Sequence, residues 1–392
     1  MSKNSIEMVW NLFSMGMIYA YSGEMVEKLR IVYLCRHCLI SQKTPFYMRI
    51  LTLLAFIMAS LYASELSAID SLDLQQMAFI QSIPPTEAMT LRSLSETLRS
   101  EASSDFNAAE LAFYWITEHI EYDFDNEQIG GEDQDLNKVL RTQRGNMQTF
   151  SQLYRELSTL MGLQCYLIRG YANLKVSREL PDYFYDGKVR DIPNRPNHSW
   201  NLVKIDGVYY GVDLSLGSVS LGGTEEEAVF VKKYDYSHIL VSDGAFFKVH
   251  LAADPRWQFR EHPFSLTTFF RDIPYSQMVA SHQNGLSFDY EAAIAEFEQA
   301  TAAEQRLMTL KSTYTFNPTD FNKRQYADAL YNMGYTQSSG PFDTQRLLQA
   351  RQYYQQSIEV YKTLNTNTAV DQLMAQAEQG ITYIAYRLDA KK

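Results

Sequence analysis

Cysteine is scarce: three in 392 residues. That excludes a disulfide framework in a chain of this size, so the core must come from burial, for which the length is ample. Clusters of basic residues are missing too. Lys plus Arg number 35 against 46 Asp plus Glu, a net charge of −11, and no Lys/Arg-rich run breaks that balance; nucleic acid is therefore excluded as an expected partner. The apolar segment 50–62 falls short of the roughly 20 residues a membrane-spanning helix needs. No histidines stand at His-x-x-x-His or similar spacing, so neither a bound metal nor another cofactor is expected. Apolar residues at 46% and charged residues at 21% are ordinary for a globular chain and exclude disordered and fibrous architectures. The length implies two domains or three.

The N-terminal segment carries the first positive signal. Arg49 precedes the apolar run 50–62, and Ala63, Ser64, Ser67 and Ala68 follow it. A basic residue, a short apolar run and then small residues is the order of a signal peptide; an uncleaved anchor or an amphipathic core helix is the alternative. Met48 is a plausible translation start, which would set residues 1–47 aside. The expectation is export to a periplasm, cell surface or secretory space, with membrane or cell-envelope association through this segment if it stays uncleaved. Cys35 and Cys38 form a lone Cys-x-x-Cys, and His37 does not complete a four-ligand zinc set. Cys165 is then the one cysteine of the mature chain.

Residues 69–120 read as helical. Pro84-Pro85-Thr86-Glu87 suggests a helix start before Met89, Leu91, Leu94 and Leu98, and Asp105 opens a stronger helix through Trp115 and Ile116 to Ile120. A polar stretch from Asp123 to Asp135 reads as loop. Phe150, Leu153, Leu157 and Leu160 recur at helical spacing up to Gly162, which stops the helix. Strands follow at Gln164–Ala172, His198–Ile205 and Val208–Leu214, the last two joined by Asp206-Gly207, a strong hairpin signal. Glu225-Glu-Glu227 reads as a solvated acidic loop. From Ser281 the composition turns to alanine, glutamine and glutamate, and helices are expected at Tyr290–Leu310, Asn322–Tyr335, Thr344–Leu364 and Ala369–Leu388. Leu330, Gly334, Ala350 and Tyr354 resemble a tetratricopeptide repeat (TPR). A self-standing solenoid needs about three repeats, so these helices are expected to pack on the preceding domain or on a partner.

Three segments carry the chemistry: Trp115–Asp123, then Arg144-Gly-Asn-Met-Gln-Thr-Phe-Ser-Gln-Leu153 running to Gly162, then His198-Ser-Trp-Asn-Leu-Val-Lys-Ile-Asp-Gly-Val-Tyr-Tyr-Gly-Val-Asp213. Together they resemble the transglutaminase-like superfamily, relatives of the papain-like cysteine proteases, over roughly residues 80–262. The tail Phe246–Gln258 looks like that of the kyphoscoliosis-peptidase-like branch. The resemblance implies an α+β fold: a papain-like core of helices packed on an antiparallel sheet, followed by an all-α, TPR-like region. The domains then run 1–68 for the signal-peptide region, 69–280 for the transglutaminase-like domain and 281–392 for the helical one.

In that family a cysteine at a helix N-terminus is the nucleophile, where the helix dipole favours a thiolate. A histidine takes its proton and an aspartate orients the imidazole. His198 and Asp213 match the base and the orienting acid. Met147 occupies the nucleophile position, and a thioether has no proton to lose, so the covalent mechanism lacks its first step. Cys165 lies in a strand and is expected to be a buried, inert thiol. Gln148, Trp200 and Tyr210 are candidate groove residues, with core packing the competing role for the aromatics. The expectation is a catalytically inactive domain that binds a protein or peptide partner. Two alternatives remain: an enzyme that works without cysteine through His198 and Asp213, or a scaffold for the C-terminal helices.

Overall fold

The computed structural model describes residues 75–86, 88–123, 135–173, 193–223, 228–232, 234–242, 244, 246–270, 275–281, 287–365 and 368–390. The signal-like segment, Cys35, Cys38, most of the polar stretch after Asp123, and Glu225–Glu227 lie outside the described residues. The chain divides into two units, 1–82 and 83–392. Of the first unit, residues 75–81 form a helix; all that follows concerns the second.

The first helix, α1 (Leu91–Glu101), starts later than the proline pair suggests. Thr90 and Ser93 form a reciprocal capping box that sets its N-terminus. Ser104 caps α2 (Asp105–His119), whose residues Leu111 to Thr117 are all buried. Trp115 in that run donates its indole N–H to the carbonyl of Ile83. After β1 (Glu121–Tyr122) come α3 (Leu136–Thr142), β2 (Arg144–Gly145) and α4 (Met147–Leu160), with β1 and β2 paired in parallel. Gly162, at φ +87°, takes the left-handed conformation that ends α4.

The sheet is built from β3 (Gln164–Ala172), β4 (His198–Ile205) and β5 (Val208–Val212). Asp206 and Gly207 both have positive φ, as the tight turn between β4 and β5 requires. A short helix α5 (Leu214–Ser218), the ribbon β6 (Val219–Gly223) and β7 (Ala228–Lys232), α6 (Phe246–Val249) and β8 (His250–Ala252) follow. The four-stranded sheet has the order β5-β4-β3-β8 and is antiparallel throughout. β8 was not anticipated; three residues on an edge strand are too few to show a period.

β4 is buried on both faces, which is why it reads as a nearly continuous run of large side chains. Toward α4, Asn201 donates to the Ser151 carbonyl. On the other side Trp200, Leu202, Phe246 and Trp257 share one apolar cluster with Ile168 and Ala252. Gly170 of β3 makes this possible: a Cβ there would stand 2.2 Å from the Leu251 carbonyl oxygen and 2.5 Å from the Trp200 ring.

Two short helices, α7 (Leu266–Phe269) and α8 (Tyr275–Ser281), lead to the C-terminal helices. The single helix expected over Tyr290–Leu310 is two. α9 (Tyr290–Gln299) ends at Ala300, and α10 (Ala302–Phe316) begins at a Thr301–Glu304 capping box. That box satisfies backbone donors a continuous helix would have used internally, so it marks a break. α11 (Asp320–Ser339), α12 (Thr344–Tyr361) and α13 (Thr368–Asp389) complete the chain. Their seam holds Ala327, Leu347, Ala350, Tyr354, Ala377 and Ile384. Gly334 and Gly380 leave room for the Tyr354 ring. α9 packs differently: Ile294 and Phe297 complete the Trp200–Trp257 cluster. Among the described residues no helix is long and apolar enough to cross a membrane.

Candidate active site

The site assembles at one end of the sheet from residues that begin or follow strands. His198 opens β4, Asp213 follows β5, and His250 opens β8. The Asp206-Gly207 hairpin folds β5 back along β4, with Asn201 opposite Val212, so His198 and Asp213 meet although 15 residues separate them. His198 Nε2 lies 2.5 Å from Asp213 Oδ2. The other carboxylate oxygen, Oδ1, accepts from Ser215 Oγ at 2.7 Å and from the Leu216 amide at 3.0 Å. Asp213 thereby caps α5 with one oxygen and holds its second oxygen still for His198.

Burial alone would raise the Asp213 carboxyl. The charge and hydrogen bond of His198 outweigh that burial and hold it well below the usual carboxylate range. Asp213 is fully buried and His198 is 4% exposed, so this is an ionised group kept in low dielectric by its partners.

Met147 is the first residue of α4, capped by Asn146, whose side chain accepts the Thr149 amide. Ser199, next to His198, donates to the Met147 carbonyl at 3.3 Å, and Ser151 donates to the same carbonyl at 3.1 Å. The helix N-terminus and the start of β4 are therefore tied together, as the family's nucleophile–base geometry implies. The residue at the junction has a thioether where a thiol is expected.

The other expected residues distribute unevenly. Gln148 is buried, and Trp200, at 1% exposed, is core; its packing role prevails over a groove role. Tyr210 is the partly exposed one and meets Phe106 edge-on at 5.5 Å. Cys165 lies in β3 with Asn201 Nδ2 3.9 Å from its sulfur. Burial pushes its thiol up to about 12, so it is inert at neutral pH.

His250 joins the pair from the start of β8, a position that spacing along the chain does not mark. Its Nε2 lies 2.9 Å from the same Asp213 oxygen, and its Nδ1 lies 2.8 Å from the Phe246 carbonyl oxygen. Phe246 stacks on the ring at 4.0 Å. Burial pushes the His250 imidazole below its ordinary value, against the pull of Asp213. The expectation of no metal-ligand set rested on spacing along the chain. The fold brings one donor atom each of His198, Asp213 and His250 to within 4.8 Å of the others, all buried. The available signal was a histidine at the end of an aromatic run, Phe246-Phe-Lys-Val-His250, which fixes no partner by itself.

Similarities to curated proteins extend over about half of the chain. The chain is 27% identical over 218 residues to mouse kyphoscoliosis peptidase, covering 54% of this chain and 31% of that protein. It is 28% identical over 204 residues to the human kyphoscoliosis peptidase, covering 51% and 29%. A LIM and transglutaminase domain protein of Caenorhabditis elegans matches at 25% over 210 residues, 52% and 27% of the two chains. The chain thus spans less than a third of the length of these curated relatives. A solved structure from Cytophaga hutchinsonii overlaps 36% of this chain and 42% of its own at 14% identity, with a TM-score of 0.25. Residues 92–214, which contain Met147, His198 and Asp213, match the family model of the transglutaminase-like superfamily.

Proposed function

We propose that this transglutaminase-like domain is catalytically inactive and binds a polypeptide or cell-envelope component in the groove its relatives use for chemistry. The observation that carries the reading is Met147 at the first position of α4. A thioether cannot be deprotonated and forms no thioester, so acyl transfer has no covalent step. Cys165, with its raised thiol, does not replace it. Binding and chemistry rest on different residues, and a groove retains affinity after its nucleophile is lost. Export through the N-terminal segment and a role for the C-terminal helices as a second surface are parts of the same proposal.

The intact His198–Asp213 pair favours a second reading, an enzyme that activates water or a substrate nucleophile without cysteine. The names of the curated relatives include a peptidase, which fits that class. One experiment separates the two. The wild type and Met147→Cys are assayed for peptide hydrolysis and amine incorporation, and both are treated with a thiol-directed alkylator followed by peptide mapping. The first reading expects activity and fast labelling at position 147 in the variant alone. Wild-type activity that survives Met147→Ala and disappears in His198→Ala would overturn it in favour of the second.

A further inference from the structure

Two contacts determine where the hydrogen sits on His250. Its Nδ1 faces the Phe246 carbonyl oxygen at 2.8 Å. A carbonyl only accepts, so Nδ1 carries the hydrogen. The stacked Phe246 ring and Trp200, 4.8 Å away between centroids, hold the imidazole in that orientation. In the neutral ring the other nitrogen, Nε2, is then a bare lone pair. It points at Asp213 Oδ2, another lone pair, at 2.9 Å. Two lone pairs at that distance repel unless a cation stands between them. His198 Nε2 converges on the same oxygen from its own strand.

We propose that His198 Nε2, Asp213 Oδ2 and His250 Nε2 form a binding site for one divalent transition-metal cation of the zinc class. Two imidazoles and one carboxylate are a donor set zinc accepts, with a fourth position left for water or a bound group. Tetrahedral bonds of about 2.0–2.1 Å place ligand atoms about 3.3 Å apart. The carboxylate oxygen therefore has to draw back from the two nitrogens by less than about 1 Å, and the nitrogens, within 4.8 Å of each other, have to close by up to about 1.5 Å. The outer contacts that orient such ligands are already in place. Nδ1 of His250 is tied to a backbone carbonyl, and Oδ1 of Asp213 is held by Ser215 and Leu216. The inference does not rest on the peptide-binding reading. The two are compatible, because a domain without its thiol no longer needs His198 as a base.

The test uses the full chain stripped with a chelator and then reloaded with Zn2+ or Co2+. The expected result is one equivalent of zinc by elemental analysis, and visible cobalt bands of a tetrahedral site. Both should be weakened about 100-fold or more in His250→Ala, since loss of a ligand exceeds the loss of an outer contact. Near-ultraviolet circular dichroism checks that the variant folds. Imidazole 15N spectra of the stripped and loaded wild type give a readout that needs no variant, with Nε2 of His198 and His250 both moving on loading. Zinc retained equally by wild type and His250→Ala would overturn the proposal, as would no zinc retained by the wild type. So would a doubly protonated His250 unmoved by zinc, since the cation would then be a proton. The alkylation of Met147→Cys is measured separately without metal, so failure of this site and failure of the inactive-domain reading are told apart.

Discussion

Removal of Glu298 should loosen the C-terminal helices from the sheet, and the size of the effect follows from three bonds. One carboxylate oxygen on α9 accepts from Tyr166 Oη at 2.9 Å, Tyr209 Oη at 2.9 Å and Lys204 Nζ at 2.8 Å. Those donors come from β3, β5 and β4, so a single atom ties three strands to the helix. Hydrogen bonds to a charged group contribute about 1.5–3 kcal/mol each when buried. Here Lys204 and Glu298 are each 24% exposed, so water screens the charges and rehydrates the freed donors. Less than half of the buried sum survives, and Glu298→Ala should cost about 2–3 kcal/mol.

The pH dependence provides a second check on the same residue. Burial would raise the Glu298 carboxyl, but the bonds from Lys204, Tyr166 and Tyr209 lower it below its ordinary value. Its contribution is therefore present above the unfolded value of about 4.3 and is lost as pH falls through the lower folded one. Lys204 is raised, chiefly by its bond to Glu298. Its contribution is present below about 10.4 and is lost as pH rises through the folded value. The cost of Glu298→Ala should be flat between about pH 5 and 10 and shrink on both sides. Urea unfolding followed by tryptophan fluorescence is the assay, since Trp257 lies 5.5 Å from Phe297 on the same helix. A cost below about 0.5 kcal/mol, the range of an ordinary surface change, or a cost indifferent to pH, would refute the argument.

Further outcomes follow from the same structure. Gly170→Ala drives a methyl into the Leu251 carbonyl and the Trp200 ring and should cost about 3 kcal/mol, the upper range for overpacking; a melting temperature equal to wild type would contradict it. Cys165 should resist alkylation at pH 8 in the folded chain and react once unfolded, as its thiol at about 12 requires. The folded state keeps that proton longer than the unfolded one, so stability should fall as pH rises from about 8.5 toward 12. Cys165→Ala should flatten that decline in alkaline denaturation.

Much of the sheet was legible because its signals are local. β3 and β4 coincide with the expected runs, and Asp206-Gly207 takes the positive φ that the dipeptide announces. The family pattern likewise located Met147, His198 and Asp213, since each occupies a fixed place at a helix start or along a hairpin. The α9–α10 break was also written locally, in Thr301 and Glu304, but the alanine- and glutamate-rich stretch continues across it. Helical composition therefore masked the capping signal.

Other features are decided only by packing. Trp200 reads as a candidate groove residue with core packing the stronger role, and its burial beside the missing side chain of Gly170 places it in the core. The placement of α9 depends on Phe297 reaching Trp257 and Glu298 reaching three strands, contacts more than 80 residues apart in part. The sequence by itself determined that a methionine stands at the start of α4, because the identity of one side chain at a helix start is a local chemical fact. Only the tertiary structure brought His250 to Asp213. A histidine becomes a ligand or a proton partner through what stands opposite it, and here that carboxylate arrives from just beyond β5, 37 residues away.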